Sequence, residues 1–354
     1  GLANQILHVR ETVPENEGVA AKRARESRES LLWIKGTEGL PKNRKVVDVC
    51  DRGADTFEFL EHAVQSGRTF VVRSCYDRVM LPGHVGDAAE RGSLHASART
   101  LPAQATSTAT VRLDREVLAQ RRQAKREGST EPIATYREAQ LCLSAAAVRL
   151  VAPHVRRGNH GKSPLCVWII RIWEPHPPAG CEPVEWLLLT NHPVETLADM
   201  RRVKTWYEWR WVVEEYHKAQ KTGCAIEKLQ LRDESRLAPA IAILSVVALT
   251  LLQLRDAARR PDARTRRAAE VVDPEAIQVL STWQHGEPHP DWTVHEYYIA
   301  LARLGGYRPR KDCPLLGVHR GRVVYVLYNG VVGEKRSAGG NVLTSTVLDG
   351  LPAH

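Results

Sequence analysis

The stretch Trp206–Lys221, WYEWRWVVEEYHKAQK, gathers the residue types that phosphate chemistry needs. On a helix at about 100° per residue, Tyr207, Arg210, Glu214, Lys218 and Lys221 share a stripe spanning roughly 80°. Trp209, Val212, Val213, Tyr216 and Ala219 fall on the opposite side and are expected to face a core. One carboxylate among three cations and a phenol suits a place where a metal ion meets a phosphodiester. The acid holds the metal, and Arg and Lys neutralise phosphate oxygens. The same spacing also describes a solvated face laced with ion pairs, such as Glu214 with Lys218 at i,i+4, and both readings stay open on spacing alone. A second acid, Asp51, follows the apolar run Val46–Cys50. Open α/β sheets commonly place functional groups at the C-terminal ends of such strands, although an Asp there also serves as a turn residue.

These side chains need a scaffold, and 354 residues allow roughly two domains with cores of their own. Fifty Lys and Arg against 41 Asp and Glu leave a net charge of +9, which favours polyanionic partners without identifying one. Seven cysteines stand far apart with no Cys-x-x-Cys pair, and the fourteen histidines form no ligand-spaced cluster. That argues against a zinc ribbon or a disulfide framework and for reduced thiols in a cytoplasmic protein. No secretory signal opens the chain. The apolar run Leu237–Leu254 is interrupted by Pro239, Ser245, Thr250 and Gln253 and barely reaches the ~20 residues of a bilayer span, so a buried helix and no membrane are expected.

Along the chain, Gly1–Val9 has the look of a strand, and residues 10–30 read as a charged loop leading into a helix near Ser30. Val46–Cys50, Thr56–Gln65 and Thr69–Arg73 follow as strand, helix and strand, the pattern of an α/β layer. From about 76 to 184 the texture becomes β-rich, with strand-like runs at Leu141–Val151, Cys166–Trp173 and, just beyond, Glu185–Leu189. A basic segment, Arg115–Arg126, interrupts that region. Residues 195–221 and 225–258 are helical in pattern, ARRPDARTRR after them reads as a basic linker, and Thr293–Leu304 is a short helix closed by Gly305-Gly306. The boundaries expected are 1–75 for a partial core, 76–184 for a β-rich insertion, 185–258 for the rest of the core, and 259–354 for a C-terminal region. The Gly/Ser-rich stretch after 333 is expected to be disordered.

The spacing Tyr207-x-x-Arg210-x-x-x-Glu214-x-x-x-x-x-x-Lys221 resembles the Tyr–Arg–Glu–Lys signature of the Tn-five-like DDE transposases, the fourth insertion-sequence family of bacteria. The resemblance extends to Val49-Cys50-Asp51-Arg52-Gly53-Ala54-Asp55, Phe70-Val71-Val72-Arg73-Ser74, Trp186-Leu187-Leu188-Leu189-Thr190 and Ala300-x-Ala302-Arg303-Leu304-Gly305-Gly306, and runs with gaps from residue 1 to about 310. It implies an α/β fold, an RNase H-like mixed sheet flanked by helices, with a β-rich insertion and a mostly helical C-terminal region. It also implies cut-and-paste transposition of double-stranded DNA, at transposon ends and target, by a homodimer in the bacterial cytoplasm at the nucleoid. Two Mg²⁺ or Mn²⁺ ions about 4 Å apart would activate the nucleophile and stabilise the leaving oxygen. Asp51 matches the second of three metal-holding acids and Glu214 the third. Tyr207, Arg210 and Lys221 match positions that grip phosphates, Lys218 and Arg52 add to that surface by position, and Trp186 matches a tryptophan that stacks on a flipped base.

Two departures accompany the resemblance. The first acid has no counterpart among these residues and would precede Gly1, so an N-terminally truncated, catalytically incomplete chain is expected. Beyond Gly306 the family has a Trp-rich helical dimer segment, whereas Val318–Val332 looks strand-like. The competing expectation is a truncated DNA-binding or regulatory form, or a decayed remnant without catalysis.

Overall fold

The computed structural model describes residues 2–8, 12–13, 15–40, 45–81, 92–130, 134, 136–153, 160–231 and 233–305. The chain divides into two compact units, one comprising Ala3–Trp211 and the other beginning at Val212.

The first unit opens with α1 (Val19–Ala24) and α2 (Leu32–Glu38), the latter near the helix expected at Ser30. Residues 2–8 carry no regular structure, so the strand expected at the start is not formed there. β1 (Val47–Cys50), α3 (Phe57–Gln65) and β2 (Thr69–Arg73) make a strand–helix–strand unit in which the two strands pair in parallel. Helix α3 starts where the Thr56 hydroxyl accepts the Phe59 N–H, and the chain leaves it through Gly67 at φ +66°, a conformation that favours glycine.

Next come β3 (Val79–Met80), β4 (Gly92–Ser93), α4 (Leu94–Thr100), β5 (Ala105–Arg112), α5 (Arg115–Arg126), β6 (Tyr136–Leu150), β7 (Leu165–Trp173), β8 (Glu185–Thr190) and α6 (Leu197–Glu208). The strands form one eight-stranded mixed sheet in the order β1-β2-β8-β7-β6-β3-β4, with β5 also paired to β6. This is an α/β fold with helices on both faces of a mixed sheet, consistent with the RNase H-like expectation. The β-rich segment does not stand apart: β6 and β7 continue the sheet of β1 and β2 through β8.

Strand alternation sorts the core into two layers. Phe70 and Val72 of β2, Leu187 and Leu189 of β8, and Val167 and Ile169 of β7 pack with Phe59 and Leu60 of α3 and Leu94 of α4. Val71, Leu188, Ile170 and Ile172 point the other way and pack with Met200, Val203 and Tyr207 of α6.

The second unit is helical: α7 (Trp211–Lys218), whose first residue closes the first unit, a π turn at Ala219–Gly223, α8 (Glu234–Ala258), α9 (Pro274–His285) and α10 (Val294–Leu304). Tyr216, Ala248, Leu251, Ile277, Leu280, Tyr297 and Leu301 form its core. Inside it, Gln220 Nε2 donates to Tyr216 Oη at 2.9 Å and to Ser245 Oγ at 2.7 Å, which explains why two polar residues sit within an apolar cluster. Helix α8 is long and apolar enough, by length and composition, to cross a membrane. Here its Ala248, Leu251, Leu252 and Leu254 are buried in the helical core.

Two expectations need correction. The basic stretch after Ala258 is not a structureless linker: Pro261–Arg264 and Ala268–Glu270 are 3-10 turns with Ala263 and Ala268 buried, and Arg267 bridges Thr293. The signature segment is not one helix either, because α6 ends at Glu208 and α7 starts at Trp211. The strand-like run Val318–Val332 and the tail after 333 lie outside the described residues.

Candidate active site

Asp51 leaves β1 at its C-terminal end and is exposed. Its side chain caps the 3-10 turn Arg52–Ala54, with Oδ1 accepting the Gly53 N–H at 2.7 Å. An exposed carboxylate suits a ligand for a hard cation. Space at Gly53 is tight: a Cβ there would stand 3.0 Å from Asp51 Oδ1 and 3.2 Å from Trp33 Cζ2, so those side chains would have to give by a few tenths of an ångström. Arg52 is exposed beside it.

Four residues on, Asp55 is fully buried and anchors the loop. Arg78 Nη1 donates to Asp55 Oδ1 at 2.6 Å and Nη2 to its backbone carbonyl at 2.7 Å. The N–H groups of Cys75 and Tyr76 donate to Oδ2 at 2.5 and 3.0 Å. The Asp51 loop is thereby tied to the loop that follows β2. That second loop is tied in turn to α4, where Ser74 Oγ lies 2.9 Å from His95 Nε2 and Asp77 accepts from Ser93 Oγ and the His95 N–H. Burial depresses the His95 imidazole below its ordinary value. Burial opposes ionisation of Asp77, yet the Ser93 and His95 hydrogen bonds hold its carboxyl below the usual range.

Trp186 sits at the start of β8, half-buried on the α6 side of the sheet. Residues Val72 and Arg73 pair with Leu189 and Leu188, so Trp186 lies toward the edge where β1 releases Asp51. Strand spacing puts the two Cα atoms roughly 12 Å apart. The Trp186 indole meets the ring of Tyr207 edge-on at 5.3 Å, and the Arg210 guanidinium stands 5.7 Å from the Tyr207 centroid. Tyr207 is buried in the sheet–helix core, whereas Trp209, Val212 and Val213, expected to face a core, are exposed. Helix α6 ends at Glu208 and α7 starts at Trp211, so a single helical wheel does not describe the segment.

Glu214, Lys218 and Lys221 belong to the second unit. Glu214 is half-buried on α7, Lys218 is exposed at its end, and Lys221 in the π turn is ion-paired with Glu227 at 3.0 Å. The neighbouring Glu215 is taken by Arg255, at 2.7 Å, as a tie between α7 and α8. The structure therefore groups Trp186, Tyr207 and Arg210 directly, sets Asp51 and Arg52 along the same sheet edge, and leaves Glu214, Lys218 and Lys221 in the helical unit. Among the described residues no three His, Cys, Asp or Glu side chains gather as a ready-made metal group. No protein-family model matches this chain.

Sequence reasoning did not identify the Asp55–Arg78 pair or the part played by Trp33. The four-residue spacing of Asp51 and Asp55 was the available signal, but Arg78 lies across an intervening helix and strand.

Proposed function

We propose that this chain carries core elements of a cut-and-paste DDE transposase acting on double-stranded DNA at the bacterial nucleoid. The observation that supports this best is the C-terminal edge of β1: an exposed, loop-braced carboxylate, Asp51, on the same edge as the Trp186–Tyr207–Arg210 group. In this reading Asp51 and Glu214 are two of the carboxylates that hold Mg²⁺ or Mn²⁺. When bound, the metal supplies charge stabilisation at the cleaved phosphate and lowers the pKa of the attacking hydroxyl.

The chain's own groups do the positioning. Arg210, Arg52, Lys218 and Lys221 neutralise phosphate oxygens, and the Arg210 guanidinium lies 5.7 Å from the Tyr207 centroid, within cation–π reach. Trp186 offers an aromatic face for an extruded base, packed from behind by Tyr207. A complete enzyme would act as a homodimer. The alternative is a DNA-binding or regulatory form, or a remnant, without catalysis.

Manganese binding tests the metal assignment independently of cleavage. Asp51→Asn and Glu214→Gln are each expected to weaken Mn²⁺ binding, read by electron paramagnetic resonance with duplex DNA present, by on the order of tenfold or more. That is at least the cost of losing an outer-shell partner. Unchanged Mn²⁺ titrations in both variants, with far-UV circular dichroism intact, would rule the assignment out. Duplex binding with metal bound but no Mg²⁺-dependent nicking would favour the regulatory form.

A further inference from the structure

We infer that His217 is a nitrogen ligand for the divalent metal ion at Glu214, an inference that rests on the metal reading of Glu214. Both residues lie on α7 and stand three apart, so their Cβ atoms are neighbours about 5–6 Å from one another. Glu-x-x-His on one helix is a spacing with which helical bundles hold metal ions between carboxylate and imidazole. His217 is exposed, so its ring is open to an ion arriving from solvent. Spacing alone would leave it a surface histidine in the last turn of a helix, where a positive charge is also favourable. The hydrogen bonds beneath it distinguish the two roles.

The Ser245 hydroxyl has one proton, and it goes to the Ile241 carbonyl at 2.6 Å. Ser245 Oγ must then accept from the Gln220 amide 2.7 Å away, and only the amide nitrogen can donate. Nε2 of Gln220 gives its other proton to Tyr216 Oη at 2.9 Å. The atom 3.3 Å from His217 Nδ1 is therefore Gln220 Oε1, a carbonyl oxygen that can only accept. Nδ1 carries the proton, and in neutral His217 the lone pair lies on Nε2, the other ring nitrogen. Gln220 is 4% exposed and Ser245 0%, so the amide cannot turn over without leaving buried polar atoms unpaired. Metal-binding histidines are commonly fixed this way, through the ring nitrogen that does not touch the metal. A charge at the helix end would ask nothing of the Gln220 amide. Glu215 does not compete for the ion, because Arg255 holds it at 2.7 Å. An imidazole ligand gains more with a first-row transition ion than with Mg²⁺, which prefers oxygen.

The test uses the full chain with Mn²⁺ alone, because DNA bases would add nitrogens of their own. Pulsed electron paramagnetic resonance is expected to show nitrogen coupling on the bound Mn²⁺ of the parent and none in His217→Ala. That variant should also bind Mn²⁺ at least about tenfold more weakly, since even an outer-shell partner typically contributes 10–100-fold, while Mg²⁺ binding hardly changes. Gln220→Met keeps the bulk of the side chain and removes the acceptor, and about a tenfold loss of Mn²⁺ affinity with the coupling retained is expected. Should Gln220→Met fail to fold, substitution of the exposed His217 still decides. Coupling that persists in His217→Ala, unaltered Mn²⁺ affinity there, or a parent that binds Mn²⁺ without nitrogen coupling overturns the inference. If Glu214→Gln still loses Mn²⁺ in any of those cases, the carboxylate reading stands without His217. Coupling that vanishes in His217→Ala while Glu214→Gln binds Mn²⁺ like the parent overturns the shared site and the carboxylate reading with it, as does a parent that binds no Mn²⁺.

Discussion

Arg78→Met removes the cation that meets the fully buried carboxylate of Asp55, and a large loss of stability is expected. Breaking a buried ion pair by deleting one partner typically costs about 3–5 kcal/mol, because a charge is left without compensation. Here the Cys75 and Tyr76 N–H groups would still reach Oδ2, so the lower end, about 3 kcal/mol, applies. The unit spanning Ala3–Trp211 lies in the size range where each kcal/mol moves Tm by about 2–4 °C, giving a drop of about 6–12 °C. Differential scanning calorimetry of Arg78→Met, Asp55→Asn and the double variant reads this directly. The double variant should lose less than the sum of the singles, by about 0.5–3 kcal/mol. A single variant melting within about 2 °C of the parent, or strictly additive losses, would refute the claim that this pair braces the Asp51 loop. A brace implies one thing more: Mn²⁺ binding through Asp51 should weaken in Arg78→Met at temperatures where circular dichroism still reports a folded chain.

Gly53→Ala would push a methyl group to 3.0 Å from Asp51 Oδ1, so a loss of about 1–2 kcal/mol with weakened Mn²⁺ binding is expected, partly restored by Trp33→Ala. Unchanged binding and stability would show that the loop is not held as described. The hydrogen-bonded Arg137 guanidinium holds the Glu174 carboxyl below the ordinary 4.5. Its folded-state pKa is thus depressed, so its contribution is fully present above about pH 4.5 and is lost as pH falls through the lower folded value. Glu174→Gln should therefore flatten the stability–pH curve below pH 4.5, and parallel curves for variant and parent would contradict this. Trp186→Ala should cost about 2 kcal/mol, less than the 3–5 typical of a fully buried ring, and Trp186→Phe should recover most of it. If Trp186 also stacks on an extruded base, a 2-aminopurine at that position should lose its quenching in Trp186→Ala, and identical fluorescence would leave the residue a packing role alone.

The elements that sequence pattern located well were those with one apolar face and clear punctuation. Phe57, Leu60 and Val64 with Gly67 after them marked α3, the apolar run TFVVR marked β2, and Gly305-Gly306 marked the end of α10. Strand β5 went unseen because ATSTATVR buries little besides Ala109, so no apolar alternation signals it. The order after Ala258 was misread because its basic composition hid Ala263 and Ala268, whose burial depends on α8 and α10 folding around them. The signature segment shows a different limit. Residue types and spacing singled it out, but a helical wheel assumes an unbroken helix, whereas α6 ends at Glu208 and α7 starts at Trp211, with Tyr207 buried and Val212 and Val213 exposed. Asp55 carries the same lesson at the site. Its partner Arg78 is 23 residues away, and only the return of β2 beside β1 brings the pair together.

Topology also explains why the edge at Asp51 collects so many distinctive side chains. Strands β1 and β2 run in parallel, so both release their loops, carrying Asp51 and then Ser74 to Arg78, on the same side. Because β8 is antiparallel to β2, it is the beginning of β8, with Trp186, that meets this side. Had β8 run parallel, Trp186 would lie a strand length away, at the edge lined by Val47 and Arg68. The mixed pairing is therefore a condition for any joint action of Asp51 and Trp186. A proline at Leu188 would remove a ladder donor in the middle of the sheet, and it should abolish the Trp186 and Asp51 phenotypes together.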